Sequence, residues 1–469
     1  QNNNEINKQE TFHSFSPQIT KLENGLTVTS LVGDDMTMSS IVFYIKSGSA
    51  SENQNESGYN NEQGTSFFLE STAFGYTNDN QEETVSKQLN RIGALDMSTS
   101  QREFFMYFVD GMRSNVESII KLLSSAILNP LINNEVIQEG ILNMEFKSQY
   151  MDSEHLSNDG ITFAAYGQST LGNKHYPSDL MKLQLLNINS IQNFRSKILF
   201  GENCLVAGVG IEHDVLVNYV KDYFKDLPKQ PIVQNNTKEI ISRYTGGLYV
   251  EQRELKEPFV KLTVGFPFDG YRGKHFITAC LLERLLGGGS SFSAGGPGKG
   301  MYTKLYRDVL CRYDWIESAK GSIVCYNDNG LLGIDGSCNP ENVMNLYKVF
   351  LHELTKLTIF KVTPEELLRA KNMLKSKLLM QLESRAVIGE DLARQTATFG
   401  FREDPLTTCQ KIDKITDEDI MNLTRELLLQ PPSIACIGED VSQIANYEQL
   451  NSYFINYRDS LWKQFKVTS

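Results

Sequence analysis

Apolar and polar residues alternate at two related places along this chain. LENGLTVTSL (22–31) has a turn at Asn24-Gly25 followed by an alternating run that predicts a strand. YTGGLYVEQR (244–253) has the same form, with its turn at Gly246-Gly247. Leu248 thus stands where Leu26 stands in the earlier segment. Later in each half an amphipathic helix leads into an apolar, β-rich run. LLNINSIQNFRSKIL (185–199) precedes CLVAGVGI (204–211), and KIDKITDEDIMNLTREL (411–427) precedes SIACIGE (433–439). Asn189 with Gln192, and Thr416 with Asp419, stand at capping-box spacing and predict the two helix starts. Ile415 corresponds to Ile188 in these segments, and Gly438 to Gly210. Three landmarks recurring at nearly one offset predict an internal duplication.

Between these landmarks the apolar spacing is helical. SNVESIIKLLSSAIL (114–128) carries an apolar face in the first half. In the second half Thr363, Pro364 and Glu366 supply a cap, a first-turn proline and a capping-box partner. The helix they begin places Leu367, Ala370, Met373, Leu374, Lys377, Leu378 and Gln381 on one face. SSIVFYIKSG (39–48) and FVKLTVGFPF (259–268) predict strands. Strands followed by blocks of helix predict an α+β chain of two homologous domains, each a sheet covered by helices. The expected divisions are a polar arm over 1–16, a domain over 17–228, a linker over 229–243 and a domain over 244–469. The linker is drawn from the proline- and asparagine-containing segment LPKQPIVQNNTKEIIS (227–242).

Composition narrows the function. At 469 residues the chain is too long for one ordinary core. No apolar run approaches the length of a membrane-spanning helix. The formal charge of −12 argues against a nucleic-acid binder and favours basic ligands through long-range steering. Cysteines 204, 280, 311, 325, 338, 409 and 436 form no C-x-x-C pair, as expected of buried thiols in a reducing compartment. A start at Gln1 without a targeting segment is expected of a processed chain.

One tract stands out against this background. GGGSSFSAGGPGKGM (287–301) lies between the apolar helical stretches 275–286 and 302–310. Glycine at this density predicts a surface loop held between rigid elements, where function often resides. A phosphate-loop reading of GGPGKG fails. That motif needs glycine where Ser293 stands and serine or threonine where Gly300 stands. A second stretch, GTSFFLESTAFGYT (64–77), has the outline of an H-x-x-E-H zinc site. The histidine positions hold Phe67 and Ser71, and Glu70 alone remains. Phenylalanine has no donor atom, and a distal Glu139 or Glu145 would not hold zinc with Glu70 alone. Histidines 13, 155, 175, 213, 275 and 352 include no pair one helical turn apart. The acidic cluster Asp79, Glu82 and Glu83 reads as solvated surface. No metal or cofactor is expected.

The opening N-G-L turn, the F-F-L-E segment, the linker, the glycine tract and the ending A-T-F-G (397–400) and D-K-I-T (413–416) carry a resemblance over nearly the whole chain. The chain resembles the pitrilysin-type (inverzincin) peptidase family. Within that family it is similar to the α subunits of mitochondrial processing peptidases and to core protein 2 of the cytochrome bc1 complex. The glycine tract is the specific signal, differing chiefly by Ser290 where a further glycine is usual. Phe67 departs from the first histidine that such α subunits commonly keep, and a polar insertion over 49–63 lengthens the approach to it.

The resemblance implies two domains, each a mixed, mostly antiparallel sheet with helices packed on one face. It implies a non-catalytic subunit that pairs with a zinc-bearing β subunit in the mitochondrial matrix, with other complex III subunits as further partners. It implies that Gly287, Gly288, Gly289, Phe292, Gly295, Gly296, Gly298, Lys299, Gly300 and Met301 capture presequence peptides. Phe292 and Met301 are expected to make apolar contacts, and Lys299 to pin the loop or meet a peptide carbonyl. Presequences are Arg-rich and amphipathic, which suits an acidic partner. A purely structural core-subunit role is the alternative. An autonomous zinc protease is disfavoured by the missing histidine pair.

Overall fold

The computed structural model describes residues 16–32, 37–53, 61–149, 151–167, 169–176, 184–232, 242–290 and 301–467. The polar arm (apart from Ser16) and most of the expected linker lie outside them.

The alternating segments become two six-stranded sheets. The first contains β1 (Gln18–Lys21), β2 (Thr27–Leu31), β3 (Met38–Ile45), β4 (Leu95–Ser100), β5 (Phe105–Met112) and β6 (Cys204–Val209). The second contains β7 (Gly247–Gln252), β8 (Val260–Phe268), β9 (Gly288–Ser290), β10 (Ile316–Cys325), β11 (Gly330–Cys338) and β12 (Ser433–Gly438). Their orders are β1-β2-β6-β3-β5-β4 and β7-β12-β8-β11-β10-β9. The duplication is therefore literal: β2-β6-β3-β5-β4 corresponds to β7-β12-β8-β11-β10. In each sheet one pair is parallel, β2 with β6 and β7 with β12. These are the strands foreseen at the two ends of each half, so each half closes by pairing its early strand with its last one. The chain is α+β, with two mixed, mostly antiparallel sheets.

Helices α1 (Thr65–Ser71), α2 (Val85–Arg91), α3 (Val116–Leu128), α4 (Asn134–Gln149), α5 (Ser153–Tyr166), α6 (Ile188–Ile198) and α7 (His213–Tyr223) belong to the first half. The second half supplies α8 (Phe276–Leu286), α9 (Val343–Lys356), α10 (Pro364–Gln381), α11 (Arg385–Phe399), α12 (Pro405–Lys414), α13 (Asp417–Leu428) and α14 (Tyr447–Phe465). The cap on α13 is as expected: Asp419 N donates to Thr416 Oγ1 at 3.2 Å, and Thr416 N donates to Asp419 Oδ2 at 2.8 Å. The cap on α6 differs. Asn187 and Ser190 form that capping box, just ahead of the expected Asn189 and Gln192. The Ser190 hydroxyl performs the role that spacing had assigned to a longer amide side chain.

Most helices of each half cover one face of its own sheet. Phe43, Tyr107 and Val206 lie in the first core, and Leu262, Ile334 and Cys436 in the second. The opposite faces are covered by exchange. Ile161 and Ala165 of α5 pack against Leu331 and Ala435 of the second sheet. Leu392 and Ala393 of α11 pack against Val42, Leu205 and Val209 of the first. A glycine marks each crossing. A Cβ on Gly160 would lie 2.5 Å from Tyr249 Cδ1, and one on Gly389 would lie 3.1 Å from Val42 Cγ2. The two glycines recur at nearly the same offset as the landmarks of the duplication, so the repeat extends to the exchanged helices.

Polar bonds secure the exchange. Arg102, in the turn between β4 and β5, meets Asp159 of α5 at 2.6 Å and Tyr326 of the second half at 3.4 Å. Arg385, at the start of α11, meets Asp110 of β5 at 3.2 Å, and Ser40 Oγ donates to the same carboxylate. Asp335 takes the corresponding position on β11, with Thr263 Oγ1 donating to it at 2.8 Å.

Gly160→Val adds volume at the tighter crossing and is expected to cost about 2 kcal/mol, the range of an overpacked core. Gly389→Ala, where the neighbour is a movable Val42 methyl, is expected to be near neutral because helix propensity offsets the crowding. Thermal denaturation of the two variants checks this; equal melting temperatures would contradict it.

Candidate functional site

Helix α1 begins under carboxylate control. Glu52 Oε2 accepts from Gly64 N at 3.0 Å, and Glu52 Oε1 accepts from Ser66 N at 2.7 Å. Glu62 is fully buried, where Lys197 pairs with it at 2.6 Å. Both glutamates belong to the polar insertion, so its described ends brace the helix that carries Phe67, Glu70 and Ser71.

Phe67 is only 2% exposed and fills this place with an aromatic ring. It stands edge-to-face with His175, 6.1 Å between centroids, and with Tyr176 at 5.4 Å. The Glu70 carboxylate is already engaged: Ser100 N and Ser100 Oγ both donate to Oε2, at 2.8 and 2.7 Å. Lys147 of α4 approaches Oε1 at 3.8 Å and lies 6.0 Å from the centre of the Phe67 ring. Ser71 Oγ is buried and faces no acceptor or donor among the described residues. Glu139 is exposed and Glu145 half-buried, and neither bonds Glu70 among the described residues.

These side chains do not fit a zinc ion. Zinc takes three or four nitrogen, sulfur or oxygen donors at about 2 Å. The pocket offers one carboxylate, and an ammonium group stands where a cation would be repelled. His175 is the nearest imidazole, but its Nε2 faces Ser100 Oγ at 3.2 Å. Burial pushes its pKa down to about 3, so it is neutral in the fold. Among the described residues no three His, Cys, Asp or Glu side chains are placed to hold a metal.

The second place of interest is the base of the glycine tract. Helix α8 ends at Gly287, whose φ of 56° is in the region that favours glycine. Gly288, at φ 95°, starts β9, and a side chain there would overlap the Ala319 carbonyl. The short strand pairs Gly288, Gly289 and Ser290 with Lys320, Ala319 and Ser318 of β10. Gly288 N donates to Thr303 Oγ1 at 2.9 Å, which ties the outgoing chain to the returning one. Met301 is partly exposed beside Tyr302, which is 74% exposed. Phe292, Gly295, Gly296, Gly298, Lys299 and Gly300 lie outside the described residues.

Between α8, β10 and α10 lies a cavity of about 770 Å³. Cys280 and Glu283 of α8, Ile323 and Cys325 of β10, and Leu374 and Leu378 of α10 line it. Leu374, Lys377, Leu378 and Gln381 of the expected α10 stripe line this cavity, and of the whole stripe only Ala370 is buried. Thr303, Lys147, Glu366, which meets Lys304 and Arg307, and Arg369, which donates to the Tyr302 carbonyl, were not singled out from the sequence for these contacts. Glu366 was legible only as a cap, and Lys147 gave no signal because its partners are far away in the chain.

Comparison with known proteins follows the two halves. Residues 29–178 match the insulinase family, peptidase family M16. Residues 186–374 match the peptidase M16 inactive domain. The chain belongs to peptidase family M16. It is a homologue of the α subunits of mitochondrial-processing peptidases. The Caenorhabditis elegans subunit alpha is 31% identical over 464 residues, covering 92% of this chain and 87% of that one. The Homo sapiens subunit alpha is 30% identical over 460 residues, covering 93% and 85%. A chain in the structure of Complex III2 from Candida albicans, Inz-5 bound, shares the fold at TM-score 0.73 and 17% identity, covering 93% of this chain and 99% of that one. The first M16 domain holds the phenylalanine-filled pocket, and the second holds the glycine tract.

The buried imidazole gives the M16 pocket a pH signature. The folded pKa of His175 is about 3 against an ordinary 6.5, so between these values the unfolded chain binds the extra proton. Stability should therefore fall as pH drops through that window. His175→Gln is expected to flatten this slope, read from urea midpoints at about pH 4.5 and about pH 7. An unchanged slope would assign the acid sensitivity to other groups.

Proposed function

We propose that this chain is the non-catalytic, α-type subunit of a mitochondrial processing peptidase. It captures matrix-targeting presequences with its glycine-rich loop, and a zinc-bearing β-type subunit performs the cleavage. The carrying observation is the pocket itself: homology to processing-peptidase α subunits over most of the chain is combined with Phe67 where a zinc ligand would be needed. A chain that cannot assemble the metal site must leave hydrolysis to a partner.

Two further features support the reading. The charge of −12 steers Arg-rich presequences toward the chain. The base of the loop is fixed on a sheet edge, which leaves the tract itself to meet ligands of variable sequence. The site of action is the mitochondrial matrix. The likeness in fold to a chain of Complex III2 favours a second, compatible role as a core subunit at the matrix face of the inner membrane. Attachment there is proposed to run through partner subunits; no described helix is long and apolar enough to cross a membrane.

Deleting residues 291–299 and reconstituting with a β-type subunit tests the proposal. Presequence affinity, measured by fluorescence anisotropy, is expected to fall at least about 10-fold, or about 1.4 kcal/mol, with the pair still assembled. Unchanged binding and cleavage would overturn it. Co-migration with cytochromes b and c1 from mildly solubilised membranes would support the core-subunit role, and a free α/β pair would oppose it.

A further inference from the structure

We propose that the cavity between α8, β10 and α10 binds an anionic amphiphile with a single acyl chain, the chain inside and the anionic head at a rim marked by two lysines. The proposal does not depend on the reading of the glycine-rich loop.

The cavity is the second half's counterpart of the phenylalanine-filled pocket. Helix α8 follows β8 as α1 follows β3. Its C-L-L-E segment (280–283) stands where F-F-L-E (67–70) stands in α1. Glu283 thus corresponds to Glu70, and Cys280 to Phe67. The facing helices correspond as well: α8 packs on α10 as α1 packs on α4. Lys377 stands in α10 where Lys147 stands in α4. The two places differ in how they are filled. Where the first has a phenyl ring, the second has a thiol in its wall, and about 770 Å³ of space remains. That volume is within the range of small-molecule sites, roughly 300–1,000 Å³.

The lining selects the ligand. Phe276, Ile277, Ile323, Leu374, Leu378 and Ile412 make the walls largely apolar. Most polar side chains of the lining are engaged with one another. Arg284 Nε meets Glu283 Oε2 at 2.7 Å, Arg394 Nη2 meets Asp391 Oδ1 at 2.8 Å, and Lys411 pairs with Glu403. Thr408 Oγ1 donates to Glu403 Oε2 at 2.9 Å, and Gln395 Nε2 donates to Asp391 Oδ1 at 2.8 Å.

Two ammonium groups are left over. Lys274 and Lys377 line the cavity, are exposed and so mark its rim, and neither makes an ion pair among the described residues. Lys377 acts on Glu283 only through space: burial pushes that carboxyl up, against Arg284 and Lys377. An apolar interior with unpaired cations at its edge suits an acyl chain that ends in an anion. A ligand rich in hydroxyls or amides would find few free partners here, and burying such groups unpaired is costly. A cationic peptide would meet the two lysines.

Thiol labelling of the full chain tests the proposal, because Cys280 and Cys325 line the cavity and the exposed Cys311 does not. Maleimide modification is followed by peptide mass spectrometry at increasing concentrations of dodecanoate or dodecyl phosphate. At least one of these anions is expected to slow labelling of Cys280 and Cys325 about 5-fold or more and to leave Cys311 unchanged. The tighter of the two identifies the head group as carboxylate or phosphate. Dodecanol, which has the chain without the charge, should bind about 10-fold more weakly, and Lys274→Gln/Lys377→Gln should weaken the anion by a similar factor. Raised salt should narrow both differences. Cys280→Phe, which places in the second half the ring found in the first, is expected to abolish protection of Cys325. No protection by either anion below its micellar concentration, or equal protection by dodecanol, overturns the proposal. Full protection of Cys325 in a Cys280→Phe variant of unchanged melting temperature does so too. Should that variant be less stable, the double lysine variant decides, and unchanged affinity there overturns the proposal.

Discussion

Each sheet of this chain has two apolar faces, and each half assigns most of its helices to only one of them. The remaining face must be covered from elsewhere, and the two halves solve this by trading a helix. Fully burying one Leu- or Ile-sized side chain is worth about 1.5–3 kcal/mol. Ile161 on one side and Leu392 on the other are therefore anchors that neither half can replace alone. The small residues at the crossings matter as much as the large ones. Gly160 lets the α5 backbone approach the second sheet to a distance that a side chain would disturb, whereas at Gly389 the nearest neighbour is a movable Val42 methyl. The loop base and the filled pocket take their places from this interlocked pair of sheets.

The two halves have equivalent topology and opposite fates at equivalent places. In the first half α1 and α4 enclose a pocket that is closed by Phe67, with Lys147 and Ser100 occupying both oxygens of Glu70. In the second half α8 and α10 leave an open space of about 770 Å³ instead. One region is filled by an aromatic ring and has its carboxylate engaged. The other is roomy and is lined by part of the incompletely buried stripe on α10. A pocket built for hydrolysis needs donors converging on a metal, whereas one that receives a peptide needs space and a fixed edge. The second half retains the latter pair of properties.

Much of the fold was legible because strands and caps are local. The turns at Asn24-Gly25 and Gly246-Gly247, the alternating runs after them and the boxes at Thr363 and Thr416 all form where the spacing placed them. The Asn187 cap was missed because a serine three positions on can close the box as a glutamine would. The helix exchange was not legible, since an apolar face on α5 or α11 states that something covers it but not which sheet. At the site, the loss of zinc ligands could be read directly from Phe67 and Ser71. The grip of Glu366 on Lys304 and Arg307 could not, because it joins distant parts of the second half that only the packing of α10 brings together.

The helix exchange also fixes an order of events during synthesis. The first sheet can pair its strands once β6 has been made, but its outer face meets water until α11 emerges, late in the second half. Throughout that interval Val42, Leu205 and Val209 form an exposed apolar surface on an otherwise complete sheet. The nascent chain therefore needs shielding for as long as the second half takes to be translated, and a chain cut at the connection between the halves would keep that surface permanently uncovered.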